Sequence, residues 1–130
     1  MQATTNASAP KIKSFTDLIV WKEGHHLVLE IYGVTSTFPK EEIYGLTNQL
    51  RRASISVTSN IAEGFTRRFK KEKIQFYRTA LGSLTEIQNQ LLVSRDIGYL
   101  QQQKFIQMAE RTVKIGKMLN GLIKTATTAK

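Results

Sequence analysis

Apolar residues recur at intervals of three and four along most of the chain, which is the spacing of one helix face. The clearest stripe lies in a proline-free segment and comprises Ile43, Leu46, Leu50, Ala53, Val57 and Ile61. An earlier stripe comprises Val20, Gly24, Leu27, Ile31 and Val34. Two later stripes comprise Ile74, Tyr77, Leu81, Leu84, Ile87 and Leu91, then Phe105, Met108, Thr112, Ile115, Leu119 and Leu122. Because the connections are short, the chain is predicted to be all-α, an antiparallel up-down-up-down four-helix bundle.

Prolines, glycines and capping residues set the predicted bounds of the four helices. The first should begin near Thr16 or Asp17 and end before Phe38 and Pro39. The second should reach Gly64, a residue suited to a left-handed helix stop. The predicted ranges of the later three helices are 41–63, 70–96 and 101–124. A bundle domain over 15–124 should therefore lie between disordered tails at 1–14 and 125–130.

Polar side chains follow a second face of the second helix, beside its apolar stripe. They are Gln49, Arg52, Ser56, Asn60 and Glu63, and the third helix carries a comparable ladder of Thr79, Ser83, Glu86 and Gln90. A solvated face usually carries interchangeable Lys, Glu and Gln, whereas these residues supply matched donors and acceptors. The sequence therefore predicts a structural polar network, in which we place Arg51, Arg52, Asn60, Glu63, Ser83 and Glu86.

Several of these segments carry a family resemblance. The segments are FTDLIVWKEG at 15–24, FPKEEIYGL at 38–46, QLRRASISVTSNIAEG at 49–64 and ALGSLTE at 80–86. They resemble the four-helix-bundle proteins encoded in intervening sequences of large-subunit ribosomal RNA genes. Many relatives look like they carry proline where this chain has Thr58, so a kink there is not expected.

The resemblance implies a small antiparallel bundle that assembles as a homopentamer. The resemblance extends to a relative of similar fold, the accessory variability determinant of diversity-generating retroelements. That relative is a basic pentamer that associates with a reverse transcriptase and with nucleic acid. A reverse transcriptase is therefore one expected partner of this chain.

Positive charge is concentrated at two places along the chain. The formal net charge is +9, and residues 67–78 and residues 101–130 each carry six basic side chains against one acidic. Phe65, Phe69 and Phe76 are interleaved with the first group, and phenylalanine can stack on unpaired bases. The predicted nucleic-acid contacts are Arg67, Arg68, Lys70, Lys71, Lys73, Arg78, Lys117 and Lys124, with the face of Arg111, Lys114 and Lys117 as the alternative. In the absence of an RNA-recognition signature, binding should favour backbone and shape over base sequence.

Other classes of site find little support in the sequence. The chain has no cysteine, which excludes a disulfide framework and a thiolate nucleophile. A di-metal bundle needs two Glu-x-x-His pairs, and that spacing occurs once, at Glu23 and His26. We therefore expect no metal and no cofactor. No apolar run approaches a signal peptide core or a membrane span, so a soluble cytoplasmic protein is expected.

The leading hypothesis is a non-enzymatic, basic, oligomeric scaffold that binds nucleic acid, with RNA favoured over DNA as the ligand. Apolar residues outside the four stripes are candidates for the subunit interface, namely Trp21, Val28, Tyr32, Ile55, Ile106 and Ile123. Two alternatives remain open at this point. One is a protein–protein assembly module without nucleic acid, and the other is a metal-dependent enzyme that uses Glu63 and Glu86.

Overall fold

The computed structural model describes residues 11–128, and within this range the chain forms four α-helices and no strand. The helices are α1 (Ile19–Thr35), α2 (Leu46–Thr66), α3 (Lys70–Asp96) and α4 (Gln102–Thr128). Short 3₁₀ turns at Phe15–Asp17 and Lys40–Glu42 precede α1 and α2. The prediction of an all-α chain with four helices is confirmed, and α3 has the predicted bounds.

Each helix packs against the helices before and after it, and α1 closes the bundle against α4. The residue pairs that meet show the antiparallel directions. Ser56 of α2 contacts Ser83 of α3, and Gln49 earlier in α2 contacts Gln90 later in α3. The start of α1, the end of α2, the start of α3 and the end of α4 therefore lie at one end of the bundle.

The predicted apolar stripes form the core with two exceptions. Leu27, Ile61, Leu91 and Ile115 are fully buried where the four helices meet. Ile74 is half-buried and lines a surface cavity outside the core, and Ile43 has 52% of its surface exposed. The second helix begins at Leu46, not near residue 41, because residues 40–42 form a separate 3₁₀ turn after Pro39. Ile43 therefore precedes the helix and does not share its buried face.

The predicted helix ends also need correction. Ser14, and not Thr16 or Asp17, is the N-cap, and it caps the 3₁₀ turn that precedes α1. Helix α4 continues to Thr128, so the predicted disordered tail is wrong for residues 125–128. In the predicted N-terminal tail, residues 11–13 form no regular element. Residues 1–10 and 129–130 of the two predicted tails lie outside the described residues.

Gly64 does not stop α2, which continues through it to Thr66. Its role is a close helix contact, because a Cβ atom built on Gly64 would lie 2.6 Å from Cε1 of the buried Tyr77 ring. Left-handed backbone is found instead at Gly98, with φ of 89°, in the turn after α3. The glycine of the NIAEG motif therefore permits α2 and α3 to approach each other.

Replacing Gly64 by alanine should destabilise the fold, whereas the same change at Gly82 should not. The alanine methyl at 64 would overlap the Tyr77 ring, and such overpacking costs about 1 to 3 kcal/mol. Gly82 lies in α3 with open space around it, so alanine there should add roughly 0.5 to 1 kcal/mol of helix stability. Thermal or urea unfolding of the two variants measures the difference. Equal stabilities would contradict the assigned role of Gly64.

The apolar residues outside the stripes divide into two groups. Tyr32, Ile55 and Ile106 are exposed, as a subunit interface would require of them. Trp21, Val28 and Ile123 are half-buried within the chain itself. Among the described residues, no helix combines the length and the apolar character that crossing a lipid bilayer requires.

Candidate nucleic-acid interface and polar cleft

One end of the bundle collects the basic segment that the sequence singles out. We define the basic end as residues 67–73 together with Arg78 and Lys124. Lys71 and Arg78 of α3 share the wall of a 580 Å³ surface cavity with Thr127 of α4. The prediction that the start of the third helix lies near the end of the fourth is therefore confirmed.

Four basic side chains between residues 68 and 78 are exposed and unpaired. Arg68, Lys70, Lys71 and Arg78 form no side-chain hydrogen bond and no ion pair within residues 11–128. Phe69 lies between Arg68 and Lys70 in the sequence, and 63% of its surface is exposed. An exposed aromatic ring next to unpaired cations is a suitable surface for a single-stranded polyanion, since the bases can stack while the cations contact phosphates.

Two of the predicted contacts already have partners within the chain. Lys73 Nζ donates to the backbone carbonyl oxygens of Gly64 at 3.2 Å and Phe65 at 2.8 Å, so it caps the C-terminal end of α2. Burial lowers the pKa of the Lys73 ammonium. Arg67 donates to Glu63 Oε1 at 2.7 Å and lies 4.6 Å from the centroid of the Phe76 ring. The sequence alone could not separate these two residues from their unpaired neighbours.

The predicted contacts on α4 extend the surface only in part. Lys117 and Lys124 are both exposed and lie seven residues apart, on the same face of the helix. Lys124 is within one turn of Thr127 and so belongs to the basic end. Lys117 lies about 10 Å farther along the bundle.

The alternative basic face on α4 is largely neutralised by α1. Arg111 donates to Glu23 at 2.6 Å and to Glu30 at 2.8 Å, and Lys114 donates to Glu23 at 3.2 Å. Burial by itself would raise the pKa of Glu23, but the hydrogen bonds and positive charges of Lys114 and Arg111 hold it below its ordinary value. The sequence gives one signal of this network, the pair of acidic residues Glu23 and Glu30 seven apart on α1, and it is too weak to predict the ion pairs.

The two histidines lie beside this network. His25 stacks on Trp21, with ring centroids 4.8 Å apart, and His26 Nε2 lies 3.4 Å from Arg111 Nη2. Glu23, the partner of His26 in the Glu-x-x-His spacing, is already paired with two basic residues. Within residues 11–128, no three His, Asp or Glu side chains lie close enough together to hold a metal ion.

A polar cleft lies between α2 and α3, where the two sequence ladders face each other. Its 220 Å³ cavity is lined by Gln49, Arg52, Ala53, Ser56, Ser83, Glu86 and Gln90. Ser56 and Ser83 share a hydrogen bond of 2.7 Å across the cleft. Asn60 Nδ2 donates to the Ser56 carbonyl at 2.8 Å and to the Ser56 hydroxyl at 3.1 Å. Of the predicted network, Asn60 and Ser83 are therefore linked through Ser56, whereas Arg52 and Glu86 line the cleft without a side-chain hydrogen bond within the described residues.

Arg51 and Glu63 do not join them. Arg51 Nε donates to Thr35 Oγ1 at 2.9 Å, on the opposite side of α2, toward α1. Glu63 pairs with Arg67 near the basic end, where α2 meets α3 at Gly64 and Tyr77. Tyr77 precedes Glu86 by nine residues, or about 13 Å along α3. The structure thus separates Glu63 from Glu86, and the predicted carboxylate pair is not formed.

Comparison with known proteins agrees with this fold. The crystal structure of a protein of unknown function from the S23 ribosomal protein family of Bacteroides thetaiotaomicron VPI-5482 superposes with a TM-score of 0.74 at 19% identity. The superposition covers 82% of this chain and 100% of that chain, and at this identity it supports a shared fold alone. No curated protein sequence is significantly similar to the chain.

The family resemblance is supported over most of the sequence. Residues 16–121 match the model of a family described as 23S rRNA-intervening sequence protein. This range contains the first three helices and most of α4. The chain therefore belongs to the 23S rRNA-intervening sequence protein family.

Proposed function

We propose that this protein is a non-enzymatic scaffold that binds single-stranded nucleic acid, RNA foremost, at the basic end. The observation that carries the proposal is the exposed Phe69 ring next to the unpaired cations Arg68, Lys70 and Lys71, with the unpaired Arg78 about two turns farther along α3. Cations without intramolecular partners can neutralise phosphates without breaking an existing ion pair. The contacts are to the backbone and to the faces of the bases, so this end should distinguish base sequence weakly.

The salt dependence of binding to a uridine oligonucleotide tests the proposal. Four neutralised phosphates predict that log K falls with log salt at a slope of roughly −3, since each contact on a single strand contributes about −0.7. Fluorescence anisotropy across a range of NaCl concentrations measures this slope. Absence of binding at low salt, or binding that salt does not weaken, would remove the basic end as a nucleic-acid site.

The scaffold is further proposed to be a homopentamer. Exposed apolar side chains surround the α1–α2 connection, where Tyr44 is 93% exposed and lies with Tyr32, Ile43 and Ile55 around one surface cavity. Ile106 is exposed on a different helix, α4. A closed ring needs two different surfaces on each protomer, and these two apolar regions are suited to that heterologous contact. Five copies would repeat the basic end around the ring, so weak sites would act together on one strand.

Light scattering coupled to size exclusion should give the mass of five protomers. Ile55→Glu should lower that mass, because it places a charge in the proposed contact. Ile12→Glu, which changes an exposed isoleucine outside the helices, is the matched control and should leave the mass unchanged. A wild-type monomer at micromolar concentrations would contradict the proposed ring.

A protein-binding role is the second candidate, and a groove between α1 and α4 favours it. The groove has a volume of 980 Å³, and Leu29 lies in it with 60% of its surface exposed. Lys22, His25 and Lys104 also line it, so it suits a protein partner with apolar and acidic side chains. A reverse transcriptase, the partner of the accessory variability determinant, is one such candidate. If Leu29→Glu abolished reverse transcriptase binding while uridine oligonucleotide binding survived, the two roles would be separate.

A further inference from the structure

The groove between α1 and α4 follows nearly the whole length of α1. Its 980 Å³ volume is lined on the α1 side by residues that recur every three or four positions from Lys22 to Thr37, just beyond the helix end. That span is about 20 Å, which a helix of roughly 14 residues would match. Val34 and Leu100 give the lining apolar surface, and Leu29 keeps 60% of its own surface exposed. The groove is therefore open and long enough for an extended ligand.

Gly33 lies in this groove, and no contact within the described chain requires a glycine there. Its backbone is not left-handed, since Gly98 is the one glycine with a positive φ among residues 11–128. A Cβ atom built on Gly33 would have no neighbour within 4 Å, in contrast to the crowded Gly64. Glycine weakens a helix relative to alanine, so Gly33 lowers stability without a packing gain inside the chain. The bare backbone leaves a notch one turn from Leu29, where a partner can approach closely.

Two unpaired cations mark the ends of the groove. Lys22 and Lys104 each lie near the start of their own helix, and because α1 and α4 are antiparallel they lie at opposite ends. Neither side chain forms a hydrogen bond or an ion pair within residues 11–128. Glu30, between them, is already bound by Arg111 and Gln107. The groove thus offers apolar surface along its middle and a free positive charge at either end.

We propose that this groove binds an amphipathic α-helix of a partner protein, apolar on one face and acidic toward both ends. The apolar face would cover Leu29, one side chain would fill the notch at Gly33, and carboxylates would pair with Lys22 and Lys104. The proposal rests on the second candidate function and deepens it by naming the form and the chemistry of the partner. A nucleic-acid strand suits the groove less well, because the two cations are too far apart to contact neighbouring phosphates.

A designed peptide tests the proposal. It has roughly 14 residues of alanine and glutamate, with leucines three and four apart and the glutamates toward the two ends. A scrambled peptide of the same composition carries the same charge but no apolar face, and it is the matched control. Fluorescence anisotropy should show at least tenfold tighter binding of the amphipathic peptide, because burying one leucine side chain is worth that factor. No binding at millimolar concentrations, or equal binding of the two peptides, would overturn the proposal.

Gly33→Leu should weaken binding of the peptide by at least tenfold, because the new side chain fills the notch. The same change should raise the midpoint of thermal unfolding, since leucine is the better helix former and has open space there. Loss of binding by a more stable protein cannot come from a damaged fold. Gly121→Leu is the matched control, because Gly121 is an exposed glycine of α4 with open space around it, outside the groove, and it should leave binding unchanged. Undiminished binding by Gly33→Leu would overturn the proposal.

Two further measurements on Gly33→Leu test for other occupants. Light scattering should give the wild-type mass, and a lower mass would assign the groove to a second copy of this chain. Binding of the uridine oligonucleotide should equal that of wild type, and weaker binding would assign the groove to nucleic acid. Either of these results would overturn the helix proposal.

Failure of this proposal and failure of the proposed function are distinguishable. The oligonucleotide reports on the basic end, and the peptide reports on the groove. If the peptide does not bind but Leu29→Glu still abolishes reverse transcriptase binding, the protein-binding role survives and the helix proposal alone is overturned.

Discussion

Reversal of Arg68, Lys70 and Lys71 to glutamate is expected to weaken binding of a uridine oligonucleotide by roughly 100-fold at moderate salt. The physical reason is that the three side chains are exposed and unpaired within the described range, so each can neutralise a phosphate. The slope of log K against log salt should become less negative by about 2, since each lost contact removes about 0.7. Anisotropy measurements on the variant and wild type at several salt concentrations give both quantities.

The matched control places the same change of charge at the opposite end of the bundle. Lys40, Arg95 and Lys104 lie near the end of α1, the end of α3 and the start of α4, and their reversal to glutamate should cost little affinity. Thermal unfolding and light scattering of both variants check that the fold and the oligomer survive; the three charges of the first variant are exposed and contribute little to stability, whereas Arg95 and Lys104 of the control are half-buried. Equal loss of affinity in the two variants would mean that net charge, and not the basic end, governs binding.

Arg111→Leu is expected to lower the free energy of unfolding by about 2 to 3 kcal/mol. The change leaves Glu23 with Lys114 alone and Glu30 with only the Gln107 amide, although the Glu30 side chain is just 7% exposed. Removing one partner of a fully buried ion pair costs about 3 to 5 kcal/mol, and the smaller figure here allows for the partial exposure of Arg111 and Glu23. Urea unfolding at neutral pH measures the cost.

Arg95→Leu provides the control, because the Arg95–Asp96 pair is more exposed and its loss should cost less than about 1 kcal/mol.

The pH dependence of stability is a second test of the Arg111 network. The pKa of Glu23 is lower in the folded protein, so its contribution is present above the ordinary value of 4.5 and is lost as the pH falls through the folded value. The Arg111→Leu variant should therefore lose less stability than wild type between neutral and acidic pH. An identical pH dependence would contradict the network.

The helical architecture could be predicted from the sequence because it depends on local pattern. Burial of an apolar stripe requires only that residues three and four apart share a face, so Leu27, Leu50, Leu91 and Ile115 were identified before any contact was known. Boundaries were less accurate, since Gly64 reads equally well as a helix stop and as a close packing position. The neighbouring side chain decides between these two roles, and here that side chain is Tyr77.

Local sequence pattern is enough to predict the four helices, their antiparallel order and the end of the bundle at which positive charge accumulates. Which polar groups already have a hydrogen-bond partner depends on the tertiary contacts. The tertiary structure pairs Arg111 with α1, places Lys73 on the carbonyls that end α2, and leaves Gln90 Oε1 without a partner in the described chain. These outcomes depend on the rotation and the axial register of one helix against another. A periodic pattern fixes which face is buried, but it does not fix which side chain lies opposite which.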